Sequence, residues 1–384
     1  MTFINIEANT DMRFSEDQQM IQEAARGFCQ DKSDIETVRK LLPSEAGFQA
    51  NVWQEMVDLG WLGICIEENY GGSELGLDCL VPIAESMGRQ LLATPFFCST
   101  LAAQLIQRAG NESQKARYLP RIANGTVATL ALLDNEDWGA TSSQCTLNTE
   151  LPNSDLQIDG RKQLVEAGAQ ADIFIVLCQQ GEQQRLAIVE REQLDDAAIQ
   201  AHTLIDETKR AAAIEFNHVR IREDQLLDAS ASDALNDVKL LGALLTAAES
   251  VGATASCLNL TVEYLNTRKQ FGKLIGSYQS LKHPAVDILN MMEGARSQVY
   301  HAATLLADNL GKLTRDAEIA CRMSKVTAND ALLFAGDRAV QFHGGMGFTY
   351  ECDAQLYIRR AQWGQQQFGD SAHHRKRLAP LLLA

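Results

Sequence analysis

The stretch DVKLLGALLTAAESVGATASCLNLTVEYLNT, Asp237 to Thr267, carries few charges and is apolar around most of its surface. A helix of that texture must be buried on nearly every side. Downstream of it, Leu281 to Leu310 and Thr314 to about Phe342 read as two further long helices, the second stopped by Gly344-Gly345. One or two shorter helices finish the chain. Long, near-continuous helices in succession predict a four-helix bundle over 233–384.

Upstream the period changes. Val127 to Leu133 reads as a strand, and Leu156-Gln157-Ile158 alternates up to Asp159-Gly160, a hairpin-turn signal. Asp172 to Leu177 and Leu186 to Val189 are buried-strand runs, and Ala213 to Phe216 and Val219 to Ile221 close the block. Residues 1–126 read as helices. Ser15 and Gln18 form a capping-box pattern, followed by Met20, Ile21, Ala24, Ala25 and Phe28 at helical spacing. Further helices are expected over Phe48–Leu59, Leu77–Met87, Leu101–Ala109 and Ala116–Ile122, with a loop at Glu67 to Gly72. The expected fold class is α+β with three parts in chain order. These are an N-terminal helical domain (1–126), a small middle β-barrel or sandwich (127–232) and a C-terminal helical bundle (233–384).

The 384 residues hold 50 acidic and 34 basic side chains, a net charge of −16. Nucleic-acid binding as a main role is excluded on that balance, because it needs a net basic face. No run approaches ~18 consecutive apolar residues, so no membrane span is expected. The first residues lack the basic and apolar regions of a signal peptide, and a cytoplasmic location is the expectation. Nine cysteines without C-x-x-C spacing read as scattered reduced thiols. The seven histidines form no metal-ligand spacing, so no metal site is expected.

Four places combine chemistry-bearing residues. Arg268-Lys269-Gln270-Phe271-Gly272 follows the first long helix. Its cations suit a helix C-terminus and Gly272 suits a helix stop; the functional alternative is an anion-binding corner for a phosphate. Gln341-Phe342-His343-Gly344-Gly345-Met346-Gly347 is either a helix stop and turn or a place where backbone approaches a ligand. Glu249 lies in an otherwise small and apolar helical stretch. It is either paired or exposed, or a buried proton-abstracting base. Phe368-Gly369-Asp370-Ser371-Ala372-His373-His374-Arg375 reads as a cap, by Asp370 or Ser371, and a surface helix start.

Together these residues resemble the acyl-CoA dehydrogenase family over nearly the whole chain. Arg268-x-Gln270-Phe271-Gly272, with Gln279 and His283, is similar to the family's R-x-Q-F-G…Q…H segment. Gln341-x-His343-Gly344-Gly345-x-Gly347 is similar to its Q-x-x-G-G-x-G turn, and Trp61-Leu62-Gly63 through Tyr70-Gly71-Gly72 to its N-terminal region. The resemblance implies FAD bound between subunits of a tetramer. Arg268, Gln270, Phe271 and Gln279 would hold the adenosine diphosphate part of a neighbour's FAD, and Gln341, Gly344 and Gly345 would also touch it. It further implies an acyl-CoA substrate, α-proton abstraction by a carboxylate, β-hydride transfer to flavin N5, and an electron-transferring flavoprotein as acceptor.

Two departures stand out. The family's base is usually a Glu immediately before a Gly, and Arg359-Arg360-Ala361 sets that register on Phe368. Phenylalanine takes no proton. Some relatives place the base on the first long bundle helix, which makes Glu249 the candidate and Asp370 the backup. In the β region the family's T-E-P-x-A-G-S-D-like stretch reads Leu133-Asp134-Asn135-Glu136-Asp137-Trp138-Gly139-Ala140-Thr141-Ser142. Its W-[IV]-[ST]-N stretch reads Leu164-Val165-Glu166-Ala167-Gly168. Three functions follow: a self-sufficient homotetrameric enzyme with Glu249 as base, a partner subunit of a heterotetramer with a paralogue, or a non-enzymatic scaffold. Paired subunits in the family serve bulky thioesters such as steroid or bile-acid side chains.

Overall fold

A computed structural model describes residues 15–135, 137–140, 143–148, 156–228, 231–307 and 313–383. The N-terminal helices are α1 (Glu16–Lys32), α2 (Ile35–Leu41), α3 (Ala50–Asp58), α4 (Leu80–Arg89), α5 (Phe96–Ala109) and α6 (Glu112–Ala123). The strands are β1 (Ala128–Ala131), β2 (Thr146–Asn148), β3 (Leu156–Glu166), β4 (Ile173–Gln180), β5 (Gln183–Glu190), β6 (Ile199–Ala201) and β7 (Ala211–Ile221). The helix α7 (Ala231–Thr267), a short hairpin of β8 (Lys269–Gln270) and β9 (Lys273–Leu274), α8 (Gln279–Ala307), α9 (Arg315–His343), α10 (Ala354–Gln366) and α11 (Ser371–Leu383) complete the chain. The expected α+β class, with helical ends around a middle β region, is the observed one.

Packing divides the chain into two compact units, a grouping that cuts across the chain-order division at 126 and 232. One unit takes the described residues of Met1–Lys40 with Leu77–Leu92 and Ala243–Ala384; the other takes Leu41–Gly76 and Ala93–Gly242.

Local chemistry explains several helix starts. Ser15 caps α1, accepting from the Gln18 amide while the Gln18 side chain accepts from the Ser15 amide. Asn111 and Gln114 repeat that box on α6. The Thr314 side chain accepts from the Ala317 amide at the start of α9. The helix α2 was not anticipated: it is only seven residues long, too short for helical periodicity to show. The proposed helix over Leu281–Leu310 is observed to Ala307, and its last three positions, 308–310, lie outside the described residues.

In the first unit, the part of α7 from Ala243 onward is the core helix. By length and composition Asp233–Thr267 would suffice to cross a membrane, with mean hydropathy 1.3 in its most apolar window, yet 94% of that window is buried in the fold. It crosses α4 backbone to backbone. A Cβ at Gly88 would lie 1.9 Å from the Glu249 carbonyl oxygen, and one at Gly252 1.9 Å from that of Glu85. Beside this crossing, buried Glu85 receives Tyr300 Oη and the guanidinium groups of Arg89 and Arg296.

In the second unit the sheet order is β1-β4-β2-β3-β7-β6, with β5 paired to β4. The strands β1 and β4 run parallel (Ala128↔Ile173 to Ala131↔Val176), whereas β3 and β7 run antiparallel. The hairpin expected at Asp159-Gly160 is corrected. The strand β3 runs straight through, and its register against β7 shifts between Ile158 and Gly160, a β-bulge. Gly160 has φ +142, and a Cβ there would lie 2.7 Å from Cys145 Cα. Asp159 Oδ1 accepts from the His218 amide at 2.8 Å, filling the interrupted ladder. All nine cysteines are free and buried.

Candidate functional site

Helix α7 ends at Thr267, with the Arg268 amide still donating to the Tyr264 carbonyl at 2.9 Å. The chain then turns into the β8–β9 hairpin, Lys269↔Leu274 and Gln270↔Lys273. Its two-residue loop is Phe271-Gly272, with φ +51 and +78. Two left-handed residues define the type I′ hairpin turn. The reading of Gly272 as a helix stop is therefore corrected: it serves the second turn position. The Ile275 amide donates to the Arg268 carbonyl at 2.9 Å and closes the corner. Phe271 is 89% exposed. A bulky side chain at positive φ costs ~1–3 kcal/mol, and an exposed ring gains nothing from burial. Its ring lies edge-on to the Tyr278 ring, centroids 6.5 Å apart, a contact local to the hairpin.

The second glycine-bearing corner ends α9. Gly344 has φ +63 and ψ −142, a conformation open only to glycine. A Cβ at Gly344 or Gly345 would meet nothing within 4 Å, whereas one at Gly347 would collide with the Val340 carbonyl at 2.1 Å. Gly347 is thus required by packing. Gly345 is not, and a bare backbone facing open space is what a closely approaching ligand needs. Gln341, Gly344 and Gly345 are exposed, as are Arg268, Gln270, Phe271 and Gln279.

These two corners meet. The Tyr264 ring on α7 stacks on the His343 ring on α9, with centroids 4.2 Å apart and planes 26° apart. His343 is buried, and its Nδ1–H donates to the Ala339 carbonyl at 2.7 Å. An exposed guanidinium and open glycine backbone fit the diphosphate of a dinucleotide such as FAD.

The candidate base lies elsewhere in the same unit. Glu249 is 3% exposed, and its Oε1 accepts from Arg360 Nη1 at 2.7 Å. Lys325, fully buried on α9, donates to Asn329 Oδ1 at 2.9 Å and to the Gly364 carbonyl. Burial pushes the Lys325 ammonium down to about 7, against the opposing pull of Glu249 and Asp370. Phe368, at the family's usual base position, has φ +57 and is half-buried. Gly369 follows at φ +102, where a Cβ would lie 2.5 Å from the His373 ring. Asp370 caps α11, its Oδ1 accepting from the His373 amide at 2.7 Å. The histidine pair is not wholly on the surface as expected. His374 is 1% exposed, and burial, with Lys325 and Arg322 nearby, pushes its imidazole down to about 3.

In the second unit, Leu164 and Ala167 both have positive φ, +49 and +51. The Glu166 carbonyl accepts from Thr129 Oγ1 at 2.6 Å. Glu166 also lines a shallow cleft with Phe48, Thr94, Gln170, Lys209 and Arg210. Of the stretch Leu133 to Ser142, Glu136, Thr141 and Ser142 lie outside the described residues. Asp134 binds the buried Lys162, whose Nζ also donates to Ser143 Oγ at 2.8 Å and the Leu132 carbonyl at 3.2 Å. Lys162 therefore ties down both ends of that loop.

Lys162, Tyr264 and Lys325 escaped sequence reasoning. Lys162 carried a readable signal, since plain alternation from Leu156 and Ile158 puts it on the inward face of β3. Tyr264 lies one helical turn before Arg268, and only the α7–α9 packing reveals its partner. Four of the strained non-glycine positions, Leu164, Ala167, Phe271 and Phe368, fall in stretches singled out from the sequence.

The chain matches the N-terminal domain profile of acyl-CoA dehydrogenases over residues 15–126 and the C-terminal one over 240–383. It is 28% identical over 366 residues to the acyl-CoA dehydrogenase IpdE2 of Mycolicibacterium smegmatis, covering 95% of this chain and 98% of that protein. Among solved structures, the acyl-CoA dehydrogenase of Bacillus anthracis complexed with FAD superimposes with a TM-score of 0.86 at 23% identity, covering 97% of this chain and 69% of that one. The ChsE4-ChsE5 complex of Mycobacterium tuberculosis gives 0.84 at 21% identity, covering 97% and 99%. These two likenesses concern the fold. With both terminal domains matched and a relative aligned over nearly its whole length, the chain belongs to the acyl-CoA dehydrogenase family.

Proposed function

We propose that this chain is a polypeptide of an FAD-dependent acyl-CoA dehydrogenase that oxidises the α,β-bond of an acyl-CoA thioester. The observation that carries the reading is the corner itself: an exposed arginine, a strained exposed Phe271 and open glycine backbone, at the ends of two helices whose Tyr264 and His343 rings stack. Arg268 would meet the diphosphate, with Gln270, Phe271, Gln279, Gln341, Gly344 and Gly345 around the rest of the adenosine diphosphate portion. When bound, FAD supplies the hydride-accepting chemistry. The protein's share is to seat it, place the thioester and remove the α-proton with a carboxylate. An electron-transferring flavoprotein is the proposed acceptor.

Glu249 is the first carboxylate to test as base. Protonating it would leave the Arg360 charge buried without its counter-ion, which is costly. That ion pair favours a second reading, in which this chain lends its dinucleotide corner to a paralogous subunit that carries the base. The ChsE4-ChsE5 complex is by its name an assembly of two components.

The deciding experiment is the visible spectrum of the chain purified alone and after co-expression with a paralogue. One FAD per chain in the lone protein supports the homo-oligomeric enzyme. A colourless lone protein that turns yellow at half stoichiometry with its paralogue supports the paired one. Absence of flavin from both preparations overturns the proposal.

A further inference from the structure

The two halves of the dinucleotide corner come from the ends of different helices, α7 and α9, so something must fix their spacing. We propose that the Tyr264–His343 stack does this, and that Tyr264 is a positioning residue for the adenosine diphosphate portion of FAD. The inference rests on the reading of the corner given above.

Each ring is coupled to its own half through the main chain. The Tyr264 carbonyl accepts from the Arg268 amide, and the Arg268 carbonyl accepts from Ile275, so the hairpin bearing Gln270 and Phe271 moves with Tyr264. On the other side, the imidazole is anchored to the Ala339 carbonyl through Nδ1–H, and His343 directly precedes Gly344. A ring stack at 4.2 Å between these anchors sets how far Arg268 stands from the open glycine backbone. The ligand-facing side chains are exposed, so their order depends on the frame beneath them. Tyr264 is half-buried and His343 buried, as a frame requires. The aromatic ring does this, not the phenol hydroxyl.

The test uses the assembly that carries FAD, alone or with its paralogue. FAD is removed and rebound, with affinity read by flavin fluorescence and ADP added as competitor, well below the unfolding midpoint. Tyr264→Phe keeps the ring and is expected to bind like wild type. Tyr264→Leu should weaken FAD and ADP alike, by about tenfold, the scale of a lost aromatic pair. His343→Leu should weaken both ligands likewise from the other ring, which guards against misfolding of one variant. Leucine variants that bind FAD and ADP as wild type does, while Arg268→Ala loses both, overturn the inference and leave the corner standing. Leucine variants that lose FAD but keep ADP also overturn it, because the defect then lies away from the corner. Undiminished binding by Arg268→Ala removes the corner reading and the inference with it, as does an assembly that never holds FAD.

Discussion

Arg360 Nη1 donates to Glu249 Oε1 at 2.7 Å, and the two side chains are 1% and 4% exposed. A buried ion pair adds little net stability when intact, but losing one member strands the other. Glu249→Ala should destabilise the fold by ~3–5 kcal/mol, and Arg360→Met in the same chain should restore much of it. Denaturant midpoints check this. Were Glu249 the base, Glu249→Gln would in addition abolish turnover while flavin stays bound.

Lys325 makes stability depend on alkaline pH. Its ammonium is pushed down to about 7 in the fold, from 10.5 in the open chain. Between those values the unfolded chain binds a proton that the folded one lacks, so stability rises with pH across that window. The cost of the buried charge is fully present below about 7. Lys325→Met should flatten the rise, which unfolding midpoints between pH 7 and 10 would show; an unchanged slope counts against it.

His374 acts at the acid end. Its imidazole is pushed down to about 3 from 6.5, mainly by burial. As pH falls from 6.5 towards 3, the unfolded chain gains a proton that the folded chain refuses, and stability is lost. His374→Gln should reduce the acid sensitivity in that range. Equal midpoint curves for variant and wild type would refute the assignment.

Phe271 is expected to separate stability from binding. Phe271→Asn places the preferred residue in a type I′ turn and should stabilise the hairpin by up to ~1 kcal/mol. The same change should reduce FAD retention if the ring contacts the cofactor. Improved stability with full flavin content would show that the phenyl group serves something else.

The parts of the fold legible in the sequence are those where one local rule decides. Ser15 with Gln18, Thr314, and the all-round apolar surface of α7 each announce their element. Glycines were harder, because the same residue serves different ends. Gly272 completes a hairpin turn and Gly160 continues a strand opposite a bulge, although Asp-Gly and a post-helical glycine each suggested a simpler role. Buried charge was hardest. Nothing in the sequence around Glu249 names Arg360, which lies 111 residues away, and nothing marks His374 rather than His373 as the interior ring. Such pairings are set by helix packing and leave no local pattern. The corner residues were readable because they occur as contiguous motifs, while the Tyr264–His343 contact that joins them was not.

The crossing of α4 and α7 bears on how such a protein can change over time. At Gly88 and Gly252 the helices touch through bare main chain, and even one methyl group at either glycine would overlap the opposite carbonyl oxygen. Residue 249 is thereby pinned in space by peptide atoms rather than by its side chain. A replacement at that position leaves the main chain in place, and its cost falls on Arg360, which loses its buried partner. Positions 249 and 360 are therefore expected to change together rather than singly, on a main-chain scaffold that holds still beneath them.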